Sequence, residues 1–109
     1  MAAADEAVLL RVFLSERARH GHHPLYEAIV RAAREAGLSG ATVLRGAMGY
    51  GRGGRIESAK ILDLSDDLPV VVEIVDAEAR IEAFLPTLQA MGAGLATLEK
   101  VRVLRLGGA

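Results

Sequence analysis

The residues best suited to bind a ligand lie in one stretch, 40–60, which reads GATVLRGAMGYGRGGRIESAK. It mixes glycines with basic side chains, namely Gly46, Gly49, Gly51, Gly53, Gly54, Arg45, Arg52, Arg55 and Lys60. Glycine permits positive φ and lets another group come close to the backbone. Clustered backbone N–H groups beside arginines form a cradle for an anion. The stretch therefore indicates a site for a small anionic ligand, with a glycine-rich hairpin loop of solvated arginines as the alternative.

The positive charge of the chain is concentrated in this stretch. Its four basic residues and one acid, Glu57, give a formal charge of +3, whereas the whole chain carries −1, so the remainder carries −4. A net charge near zero argues against a general nucleic-acid binder.

A histidine cluster offers a second kind of site, because His20, His22 and His23 are the three histidines of the chain. Neutral imidazoles are ligands for zinc, nickel and copper. A metal site normally needs further ligands, and the chain has no cysteine to supply one. These histidines are therefore weak metal candidates, with solvated loop histidines as the alternative. The pair Asp66-Asp67 is interpreted as a turn, with a hard-cation site as its alternative.

The sequence contains no credible nucleophile–base pair. No histidine–acid partner lies near any of the serines in sequence, which are Ser15, Ser39, Ser58 and Ser65. No two carboxylates share an apolar setting that would separate their pKa values. We therefore expect that the chain is not an enzyme.

Composition predicts a single domain covering residues 1–109, because 51% of the residues are hydrophobic and 25% are charged. The absence of cysteine excludes disulfides. No apolar run reaches transmembrane length, so we expect no membrane insertion. Asp5 and Glu6 precede the first apolar run, where a signal peptide would carry positive charge. The expected location is therefore the cytoplasm.

The first half of the chain predicts a strand, a helix and a second strand. After a flexible tail, Met1–Ala7, the strand Val8–Leu14 is apolar on both faces. Ser15–His23 is a polar loop, and Pro24 begins a helix that Gly37 ends. The helix presents an apolar side, Leu25, Tyr26, Ile29, Ala33 and Ala36, opposite the i, i+4 pairs Glu27–Arg31 and Arg31–Glu35.

The second half predicts two strands around another helix. Strand two covers Ala41–Met48, and the loop tip covers Gly49–Arg55. Strand three returns from Ser58, with an outer part Ala59–Leu64, a turn or bulge at Ser65–Pro69 and a central inner part Val70–Val75. Asp76 is the predicted N-cap of a helix in which Pro86 causes a kink or a restart near Glu82–Leu85. Gly92 and Gly94 end that helix, and Ala96–Leu106 forms the last strand.

The order β-α-β-β-α-β predicts an α+β, ferredoxin-like sandwich. Two right-handed crossovers place both helices on one face of a four-stranded antiparallel sheet. The other face stays uncovered, although strands one and three carry apolar residues on both sides. That face should bury against other copies of the chain, which predicts a homo-oligomer.

The glycine-rich stretch resembles the effector loop of PII-type nitrogen-signalling proteins of the GlnB-like superfamily. In that family a strand ending in Thr-Val leads to Gly-aromatic-Gly-Arg, here Thr42-Val43 and Gly49-Tyr50-Gly51-Arg52. LPVVVEIVD, Leu68–Asp76, resembles the strand that follows the loop. The nearest resemblance is to the bacterial PII-like family catalogued as domain of unknown function one-ninety. Its pattern matches LLRVFLSE, PLYEAIVRAAREAGLSGATVLRGAMGYG and DLPVVVEIVD, and the resemblance extends from Val8 to Leu106.

The resemblance implies a homotrimer with an adenine nucleotide (AMP, ADP or ATP) between subunits. Its site would combine the loop base, a second loop and the last strand: Arg45, Gly49, Tyr50, Gly51, Arg52, Gly53, Gly54 and Arg55; Gly92, Ala93, Gly94 and Leu95; Lys100, Arg102 and Arg105. Arg45 points into the cleft or pairs with a nearby acid. Tyr50 stacks on a base or anchors the loop. Lys60 and Glu57 are interpreted as a cross-strand or solvated pair.

The chain also departs from the nitrogen regulators. Its loop is shorter, and neither of its tyrosines, Tyr26 and Tyr50, occupies the position that those proteins modify. No lysine lies between Met91 and Thr97, which favours a less charged nucleotide such as AMP. The leading hypothesis is a trimeric sensor whose ligand orders the Gly49–Arg55 loop for a partner protein. The alternatives are a metal-responsive trimer like the CutA proteins and a scaffold protein without a small ligand.

Overall fold

The computed structural model describes residues 4–60 and 67–107. Its elements, in chain order, are β1 (Ala4–Ser15), β2 (Arg19–His20), β3 (His23–Pro24), α1 (Leu25–Glu35), β4 (Thr42–Arg45), β5 (Met48–Gly49), β6 (Glu57–Ser58), β7 (Pro69–Asp76), α2 (Glu78–Ala90) and β8 (Leu95–Leu104). The four long strands form one sheet in the order β4-β7-β1-β8. Every neighbouring pair in it is antiparallel. The short strands form two small hairpins, β2–β3 and β5–β6.

Both helices pack on one face of this sheet, so the predicted ferredoxin-like α+β fold is confirmed. The alternate residues of β1 and β7 that face the helices are buried, namely Val8, Leu10, Val12, Val70, Val72 and Ile74. The helices bury Leu25, Ile29 and Ala33 from α1 and Ile81, Phe84 and Leu88 from α2 against them. The period of two in the strands and the helical spacing of these apolar residues therefore build one core between sheet and helices.

Both predicted helix ends at glycine are confirmed. Gly37 and Gly92 have φ values of +78° and +82°, a conformation that costs glycine little. At the end of α1 the Gly37 N–H donates to the Arg34 carbonyl and the Leu38 N–H to the Ala33 carbonyl, both at 3.1 Å. The α2 end repeats this Schellman pattern.

The start of each helix lies one residue later than predicted. Pro24 occupies the N-cap of α1 and pairs with Arg19 in the β2–β3 hairpin. Asp76 is not the N-cap of α2, because β7 continues through Asp76, which pairs with Val8. Ala77 takes the N-cap position and has no side chain able to cap. Of the two alternatives predicted near Glu82–Leu85, the restart is wrong, since α2 is one element from Glu78 to Ala90.

Strand boundaries account for the remaining differences. The tail prediction fails for Ala4–Ala7, because these residues pair with Val101–Leu104 and lengthen β1. Strand two divides into β4 and β5, and β7 provides the predicted central strand. The last strand begins at Leu95 and ends at Leu104. Residues 61–66, which include most of the predicted outer strand, Ser65 and Asp66, lie outside the described residues.

Candidate functional site

The loop base and the second loop lie at the same end of the sheet. Arg45 at the end of β4 pairs with Val70, which pairs with Leu14 of β1. Leu95 at the start of β8 pairs with Phe13, next to Leu14 in sequence. However, β4 and β8 are the two edge strands, with β7 and β1 between them. Three strand spacings separate β4 from β8 by about 14 Å. The two loops of one chain therefore cannot both bind the same phosphate group.

Close packing against Pro69 shapes the loop base. The Gly46 N–H donates to the Pro69 carbonyl at 2.8 Å, which extends the β4–β7 ladder by one bond. A Cβ atom on Gly46 would lie 2.9 Å from Pro69 Cγ, and one on Gly49 would lie 3.1 Å from it. These two glycines are therefore needed because the proline ring occupies the space of a side chain.

Beyond the base, the predicted loop tip Gly49–Arg55 is part of a small hairpin. Met48 pairs with Ser58 and Gly49 with Glu57, and the Ala59 N–H donates to the Ala47 carbonyl at 2.9 Å. At the tip the Gly54 N–H donates to the Gly51 carbonyl at 2.9 Å. Gly54 has φ +74°, which favours glycine at this turn. The glycine-rich run thus builds a projecting turn with exposed backbone N–H groups.

Two of the four basic side chains in the stretch 40–60 form ion pairs within the chain. Arg45 pairs with Glu16, the acid that follows β1, and so realises the second of its two predicted roles. Arg55 Nε lies 3.1 Å from Glu57 Oε1, so Glu57 pairs with Arg55 and not with Lys60. Among the residues described, Arg52 and Lys60 form no ion pair. Arg52 lies in the tip turn beside the glycine N–H groups, and it is the best-placed cation for an anionic ligand.

The second loop supplies backbone groups to the site. Gly92 serves the helix end, and Ala93 packs against the core. Gly94 has open space around it, and Leu95 is 61% exposed. This loop therefore offers an apolar side chain and accessible backbone, but no cation of its own.

The basic residues of the last strand lie far from both loops. Lys100 pairs with Val8 and Arg102 with Glu6, towards the opposite end of the sheet. At about 3.4 Å per residue, they lie about 17 and 24 Å along the strand from Leu95. Arg105 Nε lies 3.8 Å from Asp5 Oδ2. One chain therefore does not bring these three cations to the loop base.

The histidines and Asp67 have separate surroundings. His20 and His23 oppose each other in the β2–β3 hairpin, and His22 lies in its turn; all three are exposed. Within residues 4–60 and 67–107, no three metal-ligating side chains gather into a group that could hold a metal ion. Asp67 accepts hydrogen bonds from the Ser15 hydroxyl and, at 2.9 Å, from the Arg17 N–H. This carboxylate braces the end of β1.

Sequence reasoning missed the partners of the loop base. Glu16 and Pro69 lie 29 and 23 residues from Arg45 and Gly46 in the chain (45 − 16 and 69 − 46). Both contacts depend on strand register, so no short spacing in the sequence could reveal them. Only the register of β4 against β7 shows that these residues meet.

The sheet face away from the helices carries apolar side chains around an ionic cluster. Phe13 and Val75 are each 39% exposed and Leu44 is 48% exposed. Between them, Arg11 Nε lies 2.9 Å from Glu73 Oε2, and Arg11 Nη1 lies 3.4 Å from Glu99 Oε2. The hydrogen bond to Glu73 raises the pKa of Arg11 above its usual value. We call this surface, formed by the outward residues of all four long strands, the open face.

Comparison with known proteins identifies relatives in sequence and in fold. The profile of the DUF190 family, described as "Uncharacterized ACR", matches residues 7–103. A UPF0166 protein of Aquifex aeolicus is 44% identical over 98 residues, covering 90% of this chain and 93% of that protein.

Solved structures support the same relationship at the level of the fold. CPII, a nitrogen regulatory PII-like protein from Thiomonas intermedia K12, was solved bound to ADP, AMP and bicarbonate. It matches with a TM-score of 0.66 and 18% identity over 96% of this chain and 94% of its own. CutA from Synechococcus elongatus matches with a TM-score of 0.58 and 16% identity, over 95% and 81% of the two chains. The fold is therefore PII-like. In the described part of the chain, no helix is both long and apolar enough to span a bilayer.

Proposed function

Since this chain belongs to the DUF190 family and has a PII-like fold, we propose that it is a trimeric sensor of an adenine nucleotide. In this proposal the nucleotide binds between two copies and controls the Gly49–Arg55 loop, which contacts a partner protein. The proposal involves no catalysed reaction. The ligand, when bound, changes which conformations the loop adopts.

One observation carries this proposal: the two candidate loops share one end of the sheet but lie at opposite edges. In a ring of copies, the β4 edge of one chain lies near the β8 edge of the next. The loop base, with Arg52 and its glycines, then faces the second loop, with Gly94 and Leu95, of the neighbouring copy. The site is incomplete in one chain and complete between two.

The open face supports the assembly itself. Apolar side chains on both sides of β1 and β7 stabilise a chain only if something covers the second side. Phe13, Leu44 and Val75 contribute exposed apolar surface there, and other copies are the simplest cover. Burial of the open face would also desolvate Arg11, which already has two carboxylate partners.

The chemistry of the loops supports an adenine nucleotide of low charge. Arg52 and the backbone N–H groups of the tip offer hydrogen bonds to one phosphate group. The second loop adds no cation, so a longer phosphate chain gains little there. Tyr50 is 73% exposed and presents an aromatic face on which a base can stack. In CPII, which shares the fold, the bound ligands were ADP, AMP and bicarbonate.

The test is isothermal titration of AMP and ADP into the wild type and into Arg52→Glu. A hydrogen bond to a charged group contributes about 1.5–3 kcal/mol, so loss and reversal of this charge should weaken binding by about tenfold or more. Arg34→Glu makes the same charge change at an exposed position of α1 and should leave the affinity unchanged. Equal affinity in the wild type and Arg52→Glu would remove Arg52 from the site, and no binding by the wild type would contradict the sensor.

A further inference from the structure

The β2–β3 hairpin places two histidines directly opposite each other. His20 is the last residue of β2 and His23 is the first residue of β3, and the two residues pair in the hairpin ladder. Side chains of directly opposed residues stand on the same face of a hairpin, with Cβ atoms about 4.5–5.5 Å apart. The two imidazoles are therefore neighbours through strand pairing and not only through sequence.

A tight turn holds this pair together. Gly21 and His22 are the two residues between the strands, and Gly21 has a φ of +62°. In the described part of the chain only glycines have positive φ, so His22 does not. Glycine with positive φ at the first central position is typical of a type II′ turn, whose twist matches that of the strands. At the base of the hairpin the Leu25 N–H donates to the Ala18 carbonyl at 2.7 Å. The backbone thus holds the two histidines in place without a ligand.

Both imidazoles are accessible to an ion from solvent. His20 and His23 are exposed, and in residues 4–60 and 67–107 neither forms an ion pair. The neighbouring cation, Arg19, pairs with Pro24. Residues one position along a strand point to the opposite face, so the Arg19 guanidinium does not stand between the two imidazoles.

Two carboxylates beside the segment that leads into the hairpin are already engaged. Glu16 pairs with Arg45, and Asp67 accepts hydrogen bonds from the Ser15 hydroxyl and the Arg17 N–H. The histidine pair is therefore a donor set of two imidazole nitrogens without these carboxylates. Imidazole suits zinc, copper and nickel, whereas magnesium and calcium prefer oxygen ligands.

We propose that His20 and His23 together bind one divalent transition-metal ion of the class Ni²⁺, Cu²⁺ and Zn²⁺. Each ring supplies one nitrogen, and the other coordination positions stay open to water or to a donor atom of another molecule. Once one imidazole holds the ion, the second binds it within the same hairpin, which raises the affinity well above that of a single histidine. This inference does not rest on the proposed nucleotide site, because no residue of the β2–β3 hairpin belongs to that site.

Isothermal titration of the full chain with NiCl₂, in a buffer that does not chelate metals, tests the pair. We expect one ion per chain in the wild type. His20→Ala and His23→Ala should each weaken binding by about tenfold or more, because either change removes one of the two ligands. The double variant should lose less than the sum of the two single losses, since both rings hold the same ion. His22→Ala is the matched control: it removes an imidazole from the turn but not from the pair, and the affinity should stay within about twofold.

The pattern of losses distinguishes a two-histidine site from independent binding to exposed imidazoles. Equal losses in all three single variants, or single losses that add in the double variant, would overturn the inference. A wild type that does not bind Ni²⁺ would also overturn it. All three positions are exposed, so the variants should unfold at the temperature of the wild type when no metal is present.

Two further titrations separate this site from other sites for ions and nucleotides. Excess MgCl₂ should leave the affinity for Ni²⁺ unchanged, and direct competition by Mg²⁺ would contradict a site built from nitrogen ligands. Arg52→Glu should bind Ni²⁺ as tightly as the wild type does. A chain that binds Ni²⁺ but neither AMP nor ADP would keep the histidine site and contradict the proposed sensor, and the opposite result would do the reverse.

Discussion

At the scale of single residues, the candidate site depends on groups that sequence position alone does not bring together. The stretch 40–60 shows which glycines and arginines are available, and two of its glycines, Gly46 and Gly49, lie against Pro69. The reason those glycines are needed is Pro69, which arrives from another strand. Likewise, Glu16 forms an ion pair with Arg45, so this arginine already has an acidic partner. Residue types predict chemistry, but long-range register determines which groups meet.

The close approach of Pro69 predicts the effect of Gly46→Ala. A methyl group there would lie 2.9 Å from Pro69 Cγ and 3.4 Å from the Pro69 carbonyl oxygen, so the loop base must move. Overpacking of this kind typically costs about 1–3 kcal/mol in the free energy of unfolding. Gly53→Ala is the matched control, because nothing lies within 4 Å of its added methyl group. Urea denaturation measures both variants, and equal stability would show that Pro69 does not constrain the base.

A second residue, Asp76, connects three segments at the other end of the sheet. Its carboxylate accepts hydrogen bonds from the Ser39 N–H at 2.9 Å, the Ser39 hydroxyl at 3.0 Å and the Ala77 N–H at 2.7 Å. Burial alone would raise its pKa, but these hydrogen bonds and the nearby Arg80 hold the pKa of Asp76 below its usual 3.8. Asp76 therefore stabilises the fold as a carboxylate and not as an acid.

This depressed pKa predicts how Asp76→Asn depends on pH. The stabilising effect of the carboxylate is complete above the unfolded-state pKa and disappears as the pH falls through the lower folded-state pKa. At pH 7 the variant should lose about 1.5–3 kcal/mol, the range for hydrogen bonds to a charged group. The difference between wild type and variant should shrink below pH 3.8. Urea titrations across this range measure it, and a difference independent of pH would contradict the assignment.

At the scale of elements, apolar periodicity predicts more than capping residues do. The spacing of Ile81, Phe84 and Leu88 predicts α2, and these three side chains are buried. Asp76 has the right side chain for an N-cap but belongs to β7, since pairing with Val8 extends the strand. Pro86 did not break α2, because burial of the flanking apolar residues outweighs one missing hydrogen bond. Tertiary packing therefore determines where a helix or strand ends when the local sequence preference is ambiguous.

Continuity of α2 through Pro86 predicts a stabilising substitution. Proline in a helix interior costs about 3 kcal/mol relative to alanine, and Pro86 is exposed, so no buried contact is lost on its removal. Pro86→Ala should raise the free energy of unfolding by about 1–3 kcal/mol. Gln89→Ala, at another exposed position of the same helix, should change it by only a few tenths of a kcal/mol. If Pro86→Ala lowered stability, the proline would have a role in α2 that the fold does not explain.

At the scale of the whole molecule, one uncovered sheet face and two loops at opposite sheet edges are the features that support the proposal of a working unit with several copies. The order of strands and helices in the sequence predicted this uncovered face, because two crossovers cover only one side of the sheet. The β5–β6 hairpin was harder to predict, since glycine-rich sequence is compatible with many loop shapes. The hairpin is defined by the pairing of Met48 with Ser58 and of Gly49 with Glu57, which no short spacing in the sequence predicts.

The central claim is that an adenine nucleotide binds between copies of this chain. Native mass spectrometry of the wild type with AMP or ADP tests it most directly, because one spectrum gives both the number of chains and the number of bound nucleotides. The account predicts assemblies of three chains that carry up to one nucleotide per chain. Single chains without nucleotide, at ligand concentrations that saturate a control nucleotide-binding protein, would contradict it.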